Sequence, residues 1–393
     1  MARVRLAILF AGMLLVTAGQ SILFTVLPPA GRGIGLAEWQ VGLIITISGI
    51  AFAVASPYWG RVSDQRGRRG FIAAGLFGYA LFTAAFAWAL GIGMAGAVAP
   101  TMSLVLLVFV RVGFGLTVAA AMPATQAYVV DTTLAAGRTG GLAQLSAAFG
   151  LGTVVGPLIA AALSGFGLLV PLYAVAALAL MVATLVLVLL DRPPRAMAAT
   201  VMLKPTDPRI RFWVLAALGF FMTMAIVLQT LGFLVPDRLG LDREAAGSAV
   251  GTCLLVSGLA SVACQIVLAR RRTMRPGRLM MLGLPMGIVG LVVLMLATTL
   301  PLLAAGMIGF GIAVGLCVPG FAAAASLEVE PNEQGAVAGI IGAAQAGGFI
   351  LGPVLAGALY QVNGVLPYLG ATLILGSLMA AQWRRRGVVA PGT

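Results

Sequence analysis

Arg111 is the one charged residue well inside a long apolar run, and no acidic residue accompanies it there. The acids are Glu38, Asp64, Asp131, Asp191, Asp207, Asp237, Asp242, Glu244, Glu328, Glu330 and Glu333, each at the end of an apolar run or between two runs, and the chain has no histidine. Acid–base and nucleophilic chemistry need such groups clustered, with pKa values moved toward the working pH. No cluster of that kind exists in this sequence, so an enzyme is not expected, nor a cofactor or a metal site. A lone guanidinium in an apolar setting has two readings. It can attract an anionic substrate, or it can be a structural arginine satisfied by backbone carbonyls and waters.

The other polar groups inside apolar runs are amides: Gln20, Gln126, Gln144, Gln229, Gln265 and Gln345. An amide there can line a binding cavity or simply hydrogen-bond a neighbouring helix. Phe24 shares a run with Gln20, and Phe221, Met222, Met224 and Phe233 share one with Gln229, as the walls of a hydrophobic pocket or as plain packing would. A dense island of charge stands apart from these. Gly60 to Gly70, GRVSDQRGRRG, sets Arg61, Arg66, Arg68, Arg69 and Asp64 between two apolar runs in a chain that is only 9% charged.

The elements that must position these residues follow from composition. The chain is 61% hydrophobic, its mean hydropathy is +1.08, and apolar runs of about 20 residues, the length of a bilayer-spanning helix, recur along it. The formal charge of +13 could suggest a nucleic-acid binder, but the cations fall in short clusters between runs rather than along one polar face. Cys253, Cys264 and Cys317 lie inside runs, without the pairing or exposure of a disulfide framework. Breaks at Gly, Pro and charge divide the chain into twelve helices between residues 5 and 383, the second near 39–59 and the third near 71–91. On the side of the N-terminus the loops hold Arg3, Arg5, the four island arginines, Arg138, five cations in 191–211, five in 270–278 and Arg384 to Arg386. The opposite loops hold Arg32, Arg238 and Arg243. The positive-inside rule then places both termini in the cytoplasm, in a multi-pass protein of the inner membrane.

The segment from Asp191 to Arg211 is rich in Pro and charge and divides the spans six and six. The expected organisation is a bundle over 1–190, a cytoplasmic linker over 191–210 and a second bundle over 211–393. The halves repeat each other. Residues 41–61 align with 250–270, pairing Ser48 with Ser257; 112–123 align with 308–319; and Gly152, Gly156 and Pro157 align with Gly348, Gly352 and Pro353. Gln20 and Gln229 take equivalent positions, whereas the counterpart of Arg111 is Met307. Duplicated six-helix halves are a transporter architecture, with the ligand held near mid-membrane, so the two glutamines would face each other across a cavity.

The island now has a family context. Gly60, Asp64, Arg66, Gly67, Arg68 and Arg69 resemble the signature loop of the major facilitator superfamily. Leu107, Arg111, Gly115 and Ala119 resemble its fourth-span motif, with Phe114 where the family often has glutamine. Gly152, Gly156 and Pro157 resemble the antiporter motif of its twelve-helix drug/proton antiporter branch. The resemblance implies an all-α membrane fold of two pseudo-symmetric six-helix bundles. It implies a conformational latch in which Asp64 meets the start of the eleventh span and Arg68 pairs with Asp131. It also implies a part for Arg111 in proton coupling. The loop 270–278 keeps arginines but has no aspartate and reads as an anchor only.

The functional expectation is a secondary active transporter working by alternating access, exporting a small amphipathic or anionic compound in exchange for protons, as a monomer in the bilayer with no nucleic-acid partner. The expected substrate residues are Arg111, Gln20, Gln229, Phe24, Gln126, Met222 and Gln345. An uptake carrier or facilitator for an organic anion, or a lipid-moving protein, is the alternative. No acid lies within a span, which departs from the many exporters of this superfamily that carry a cavity carboxylate. Asp131 beside Arg68, or the substrate's own charge, would then supply the coupling.

Overall fold

Peptide groups inside a bilayer must be hydrogen-bonded within the chain, and a helix does this within a single segment. The computed structural model describes residues 2–133, 138–191, 203–241, 243–270, 276–330 and 333–389, and among them there is no strand. Segments 192–202 and 271–275, on which part of the linker and of the arginine count rests, lie outside the described residues. The helices are α1 (Ala2–Ile34), α2 (Glu38–Arg66), α3 (Arg68–Met94), α4 (Pro100–Thr132), α5 (Arg138–Leu163), α6 (Val170–Leu189), α7 (Arg211–Leu239), α8 (Arg243–Arg270), α9 (Pro276–Leu296), α10 (Leu300–Leu327), α11 (Gln334–Val362) and α12 (Leu366–Val389). Ten of them are long and apolar enough to cross a membrane, and α5 offers a shorter apolar stretch, Ala147–Leu163.

The chain forms two compact units, Met1–Ala198 with Arg243–Gly251, and Ala199–Asp242 with Thr252–Thr393. In the first, α1 packs on α5 and α6, α3 on α4 and α6, and α2 on α4. In the second, α7 packs on α11, α12 and α10, and α9 on α10 and α12. The sequence repeat is a repeat of contacts. Gly115 of α4 lies against the Ser48 carbonyl of α2, and its counterpart Gly311 of α10 lies against the Ser257 carbonyl of α8. Small residues let helix backbones approach where lipid supplies no hydrophobic drive toward association.

The charged island is not a loop. α2 continues through Gly60 to Arg66, one residue turns the chain, and α3 starts at Arg68. That residue is Gly67, with φ +97°, a conformation closed to most side chains. Charged side chains do not oppose helix where the helix has left the apolar layer, so only the glycine ends it. At its C-terminal end α1 runs on through Pro28 and Pro29 to Ile34. Arg32 and Glu38 then close the turn into α2 with an ion pair of 2.9 Å.

Candidate functional site

α4 carries Arg111 into the interior of the first unit, where the residue is 4% exposed. Its Nη2 donates to Gln20 Oε1 of α1 at 3.2 Å. The guanidinium carbon stands 4.1 Å from the ring centroid of Phe114 and 5.7 Å from that of Phe86 on α3. Helical side chains lean toward the N-terminus, so Phe114, one turn on, covers the surface at Arg111. Tyr79 of α3 packs on Phe114 with centroids 5.6 Å apart and donates its hydroxyl to the Leu15 carbonyl at 3.0 Å. Among the described residues no carboxylate pairs with Arg111, and its Nε is buried without an acceptor.

Among the described residues Arg111 is therefore met by one amide and the faces of aromatic rings, not by the backbone carbonyls of a purely structural arginine. Phe86 and Tyr79 carried no signal of this in the sequence. Phe114 did carry one, because it stands three residues from Arg111 at the point where the family pattern is broken.

The glycines of α5 fix the helix that carries Gln20. A Cβ on Gly152 would come within 2.6 Å of Thr17 Cβ and 2.7 Å of the Leu14 carbonyl, and one on Gly156 within 2.7 Å of Ser21 Cβ. Thr17 and Ser21 flank Gln20, so the close approach of Gly152 and Gly156 to α1 sets where the Gln20 amide meets Arg111. In the second unit Gly348 and Gly352 of α11 would meet Met222 N and Ala225 Cβ of α7, each at 2.6 Å.

The remaining expected substrate residues are dispersed. Phe24 is buried in the first unit, while Gln126 lies on the exposed surface of α4, about 22 Å along the helix from Arg111 at 1.5 Å per residue. The structure does not bring Gln126 to the Arg111 cluster. Met222 and Gln345 are half-buried in the second unit, and Gln229 is fully buried there. Neither Oε1 nor Nε2 of Gln229 has a hydrogen-bond partner among the described residues.

Ion pairs gather at the end of the first unit where α1 begins. Arg68 Nε bonds Asp131 Oδ2 at the end of α4 at 3.1 Å, its Nη1 bonds Ser63 Oγ at 3.1 Å, and the same Nη1 contacts Asp64. Arg69 donates to the Leu187 carbonyl in the last turn of α6, a group without an intrahelical partner at a negative helix end. Arg5 of α1 pairs with Asp191 at 2.5 Å. The side chains of Arg68 and Asp131 are 12% and 10% exposed, and that of Asp64 is 56% exposed. A Cβ on Gly60 would meet nothing within 4 Å, so its glycine has no packing role there.

The second unit has a different cluster where α7 begins. Arg209 Nη1 and Nη2 donate to Glu333 Oε2 and Oε1 at 2.9 and 3.0 Å. Its Nε and Nη2 donate to Asp207 Oδ1 and Oδ2 at 3.2 and 2.9 Å. Hydrogen bonds from Arg209 hold both carboxyls below their ordinary range, and the two carboxylates in turn raise the guanidinium. Nearby, Trp213 Nε1 donates to Glu328 Oε1 at 3.4 Å. At the far end of α7, Tyr360 donates to Asp237 Oδ2 at 2.7 Å. No group of three His, Cys, Asp or Glu among the described residues could hold a metal.

A family model described as Major Facilitator Superfamily matches residues 9–353. Over 395 residues the chain is 24% identical to Multidrug resistance protein 1 of Bacillus subtilis (strain 168), covering 97% of this chain and 96% of that one. Over 367 residues it is 27% identical to the class C Tetracycline resistance protein of Escherichia coli, covering 88% of each. The solved structure of the human organic anion transporter MFSD10 (TETRAN) matches with a TM-score of 0.66 at 20% identity, over 97% of this chain and 99% of that one. That likeness speaks to the fold.

Proposed function

The chain belongs to the Major Facilitator Superfamily, and from that premise we propose a secondary active transporter that works by alternating access and exports a small amphipathic or anionic compound in exchange for protons. It is a multi-pass membrane transporter of small molecules rather than an enzyme. The finer reading rests on one observation: the Arg111 guanidinium is buried, bonded to a single amide oxygen, and paired with no described carboxylate.

A guanidinium has five N–H donors, and Gln20 takes one of them. Holding such a charge inside a span costs about 2.5–3.5 kcal/mol even on the lenient insertion scale. A ligand carboxylate or similar anion would use the spare donors and cancel the charge. Phe114 and Phe86 offer ring faces to the cation, and they suit the apolar part of an amphipathic molecule. In this reading Arg111 binds the anion, Gln20 orients the guanidinium, and Gly152 and Gly156 hold α1 so that it can.

Proton coupling is assigned to Asp131 beside Arg68. Its carboxylate is the more enclosed of the two acids that touch Arg68, with 10% of the side chain exposed against 56% for Asp64. Protonating Asp131 would weaken its bond to Arg68 and release the start of α3 from the end of α4. Efflux rather than uptake is favoured by the multidrug and tetracycline resistance relatives. The protein is proposed as a monomer of the inner membrane with both termini in the cytoplasm, on the arginine count.

The test is transport in proteoliposomes under an imposed pH gradient, comparing wild type with Arg111→Ala and Asp131→Asn. Gradient-driven movement of organic anions should fall at least tenfold in Arg111→Ala, and Asp131→Asn should uncouple it from the gradient. Anion transport unchanged by Arg111→Ala sinks the anion reading. Wild-type transport indifferent to the gradient sinks the coupling and leaves a facilitator.

A further inference from the structure

One side chain, Tyr79 of α3, stands behind two of the three groups that meet Arg111. Its hydroxyl donates to the Leu15 carbonyl at 3.0 Å, four residues before Gly19, and its phenol end fills the space that a side chain on Gly19 would need. A Cβ there would overlap the Tyr79 oxygen and come within 2.9 Å of Cζ. Gly19 immediately precedes Gln20, whose carbonyl oxygen takes the bond from Arg111. The ring of the same tyrosine packs on Phe114, with centroids 5.6 Å apart, and Phe114 covers the guanidinium. Phe86, the third neighbour of Arg111, follows Tyr79 by two turns on the same face of α3. All of these residues belong to the first unit. Tyr79, Phe114 and Arg111 are buried, whereas Gln20 is half-buried, so the cluster reaches the accessible surface at Gln20.

We propose that Tyr79 is a positioning residue for the anion site: seated in the notch at Gly19, its hydroxyl fixes the height of Gln20 against α4 while its ring holds Phe114 over Arg111. The bond from Arg111 to Gln20, at 3.2 Å, lies at the long limit for N–H···O, and a slip of a few tenths of an ångström would remove it. Binding groups work when neighbours whose own rotamers are locked hold them within about 0.5 Å of the productive geometry. A tyrosine has one O–H donor, and Leu15 uses it. Tyr79 therefore acts through Gln20 and Phe114 rather than on the anion itself. Without the hydroxyl the ring keeps its volume but is no longer tied to α1, and the guanidinium loses its alignment. The inference rests on the reading of Arg111 as the anion-binding group.

The probes are naphthalene-2-carboxylate and its neutral isostere naphthalene-2-carboxamide, titrated into the purified full-length protein and read as dissociation constants by calorimetry. Wild type should bind the carboxylate at least tenfold more tightly. Tyr79→Phe should weaken the carboxylate at least fivefold and leave the carboxamide within twofold, a split that a general loosening of the fold would not produce. In an Arg111→Met background the same substitution should change carboxylate binding less than twofold. Gly19→Ala, which evicts the phenol from its notch, is the second variant and should give the same split.

A carboxylate affinity that both variants leave unchanged overturns the proposal, as does an equal loss for the two probes or a full loss in the Arg111→Met background. Equal binding of the two probes by wild type removes the anion reading and the positioning role with it. The wild-type measurement thus tells the two failures apart.

Discussion

Arg209 grips Glu333 with two parallel hydrogen bonds of 2.9 and 3.0 Å and Asp207 with two more. It thereby ties the chain just before α7 to the residue just before α11. In the first unit the comparable bond runs from Arg68 at the start of α3 to Asp131 at the end of α4. The loop 270–278 was expected to be an anchor without an acidic partner. The second unit draws its ionic clamp from the residues on either side of the α7–α11 pair instead. A planar guanidinium matches two carboxylates edge to edge, which a lysine could not do.

The clamp predicts a pH dependence. Arg209 holds the Asp207 and Glu333 carboxyls below their ordinary range. A group whose folded pKa is depressed gives its full stabilisation above the unfolded value, about 4 for a carboxylate, and loses it as pH falls through the lower folded value. The melting temperature of wild type should exceed that of Glu333→Gln by a constant amount from about pH 8 to about pH 5. That gap should close on further acidification. A gap that persists in full at about pH 2 would mean the stabilisation does not come from these charges.

Arg111→Met should trade function for stability. The substitution gives the first unit the residue that the second uses at the equivalent position and removes a buried charge held by one amide. The melting temperature should stay level or rise by about 1 °C, the scale of 1 kcal/mol in a chain of this length, while anion transport falls at least tenfold. Phe114→Leu should then cost about 0.5–2 kcal/mol with Arg111 present and little in the Arg111→Met background, because its ring serves the cation. Equal costs in both backgrounds would reduce Phe114 to packing.

The α5 glycines can be separated by their surroundings. Gly152→Ala drives a methyl toward Thr17 and the Leu14 carbonyl, whereas at Gly150 a Cβ meets nothing within 4 Å. Gly152→Ala should lower stability by about 1–3 kcal/mol through overpacking and cut transport by displacing Gln20. Gly150→Ala should be neutral, or stabilise the helix by up to about 1 kcal/mol. Thermal unfolding of both variants checks this, and similar losses would shift the explanation from close approach to helix flexibility.

Much of the fold was legible in the chain because the bilayer makes it so. A spanning segment must be apolar over its own length and bonded within itself, so each span can be read without knowing its neighbours. The repeat was legible because Gly115 and Gly311, or Gly152 and Gly348, stand where two backbones must touch, and only small residues permit that. The helical course of the island was not legible. Charge marks the water boundary but does not decide whether a helix ends there, and the turn depends on Gly67 alone.

The sequence by itself thus determined a membrane protein of twelve helices in two related halves, with one charge out of place at Arg111, since hydropathy and glycine spacing are properties of contiguous chain. Only the tertiary structure decided what that charge touches. It also decided that Gln126 stands apart, that Gln229 is orphaned where Gln20 is paired, and that Arg209 reaches Glu333 across 124 residues of chain. These depend on which helix faces meet and at what height. That is set by packing between segments far apart in sequence, on which the apolar pattern of any one span is silent.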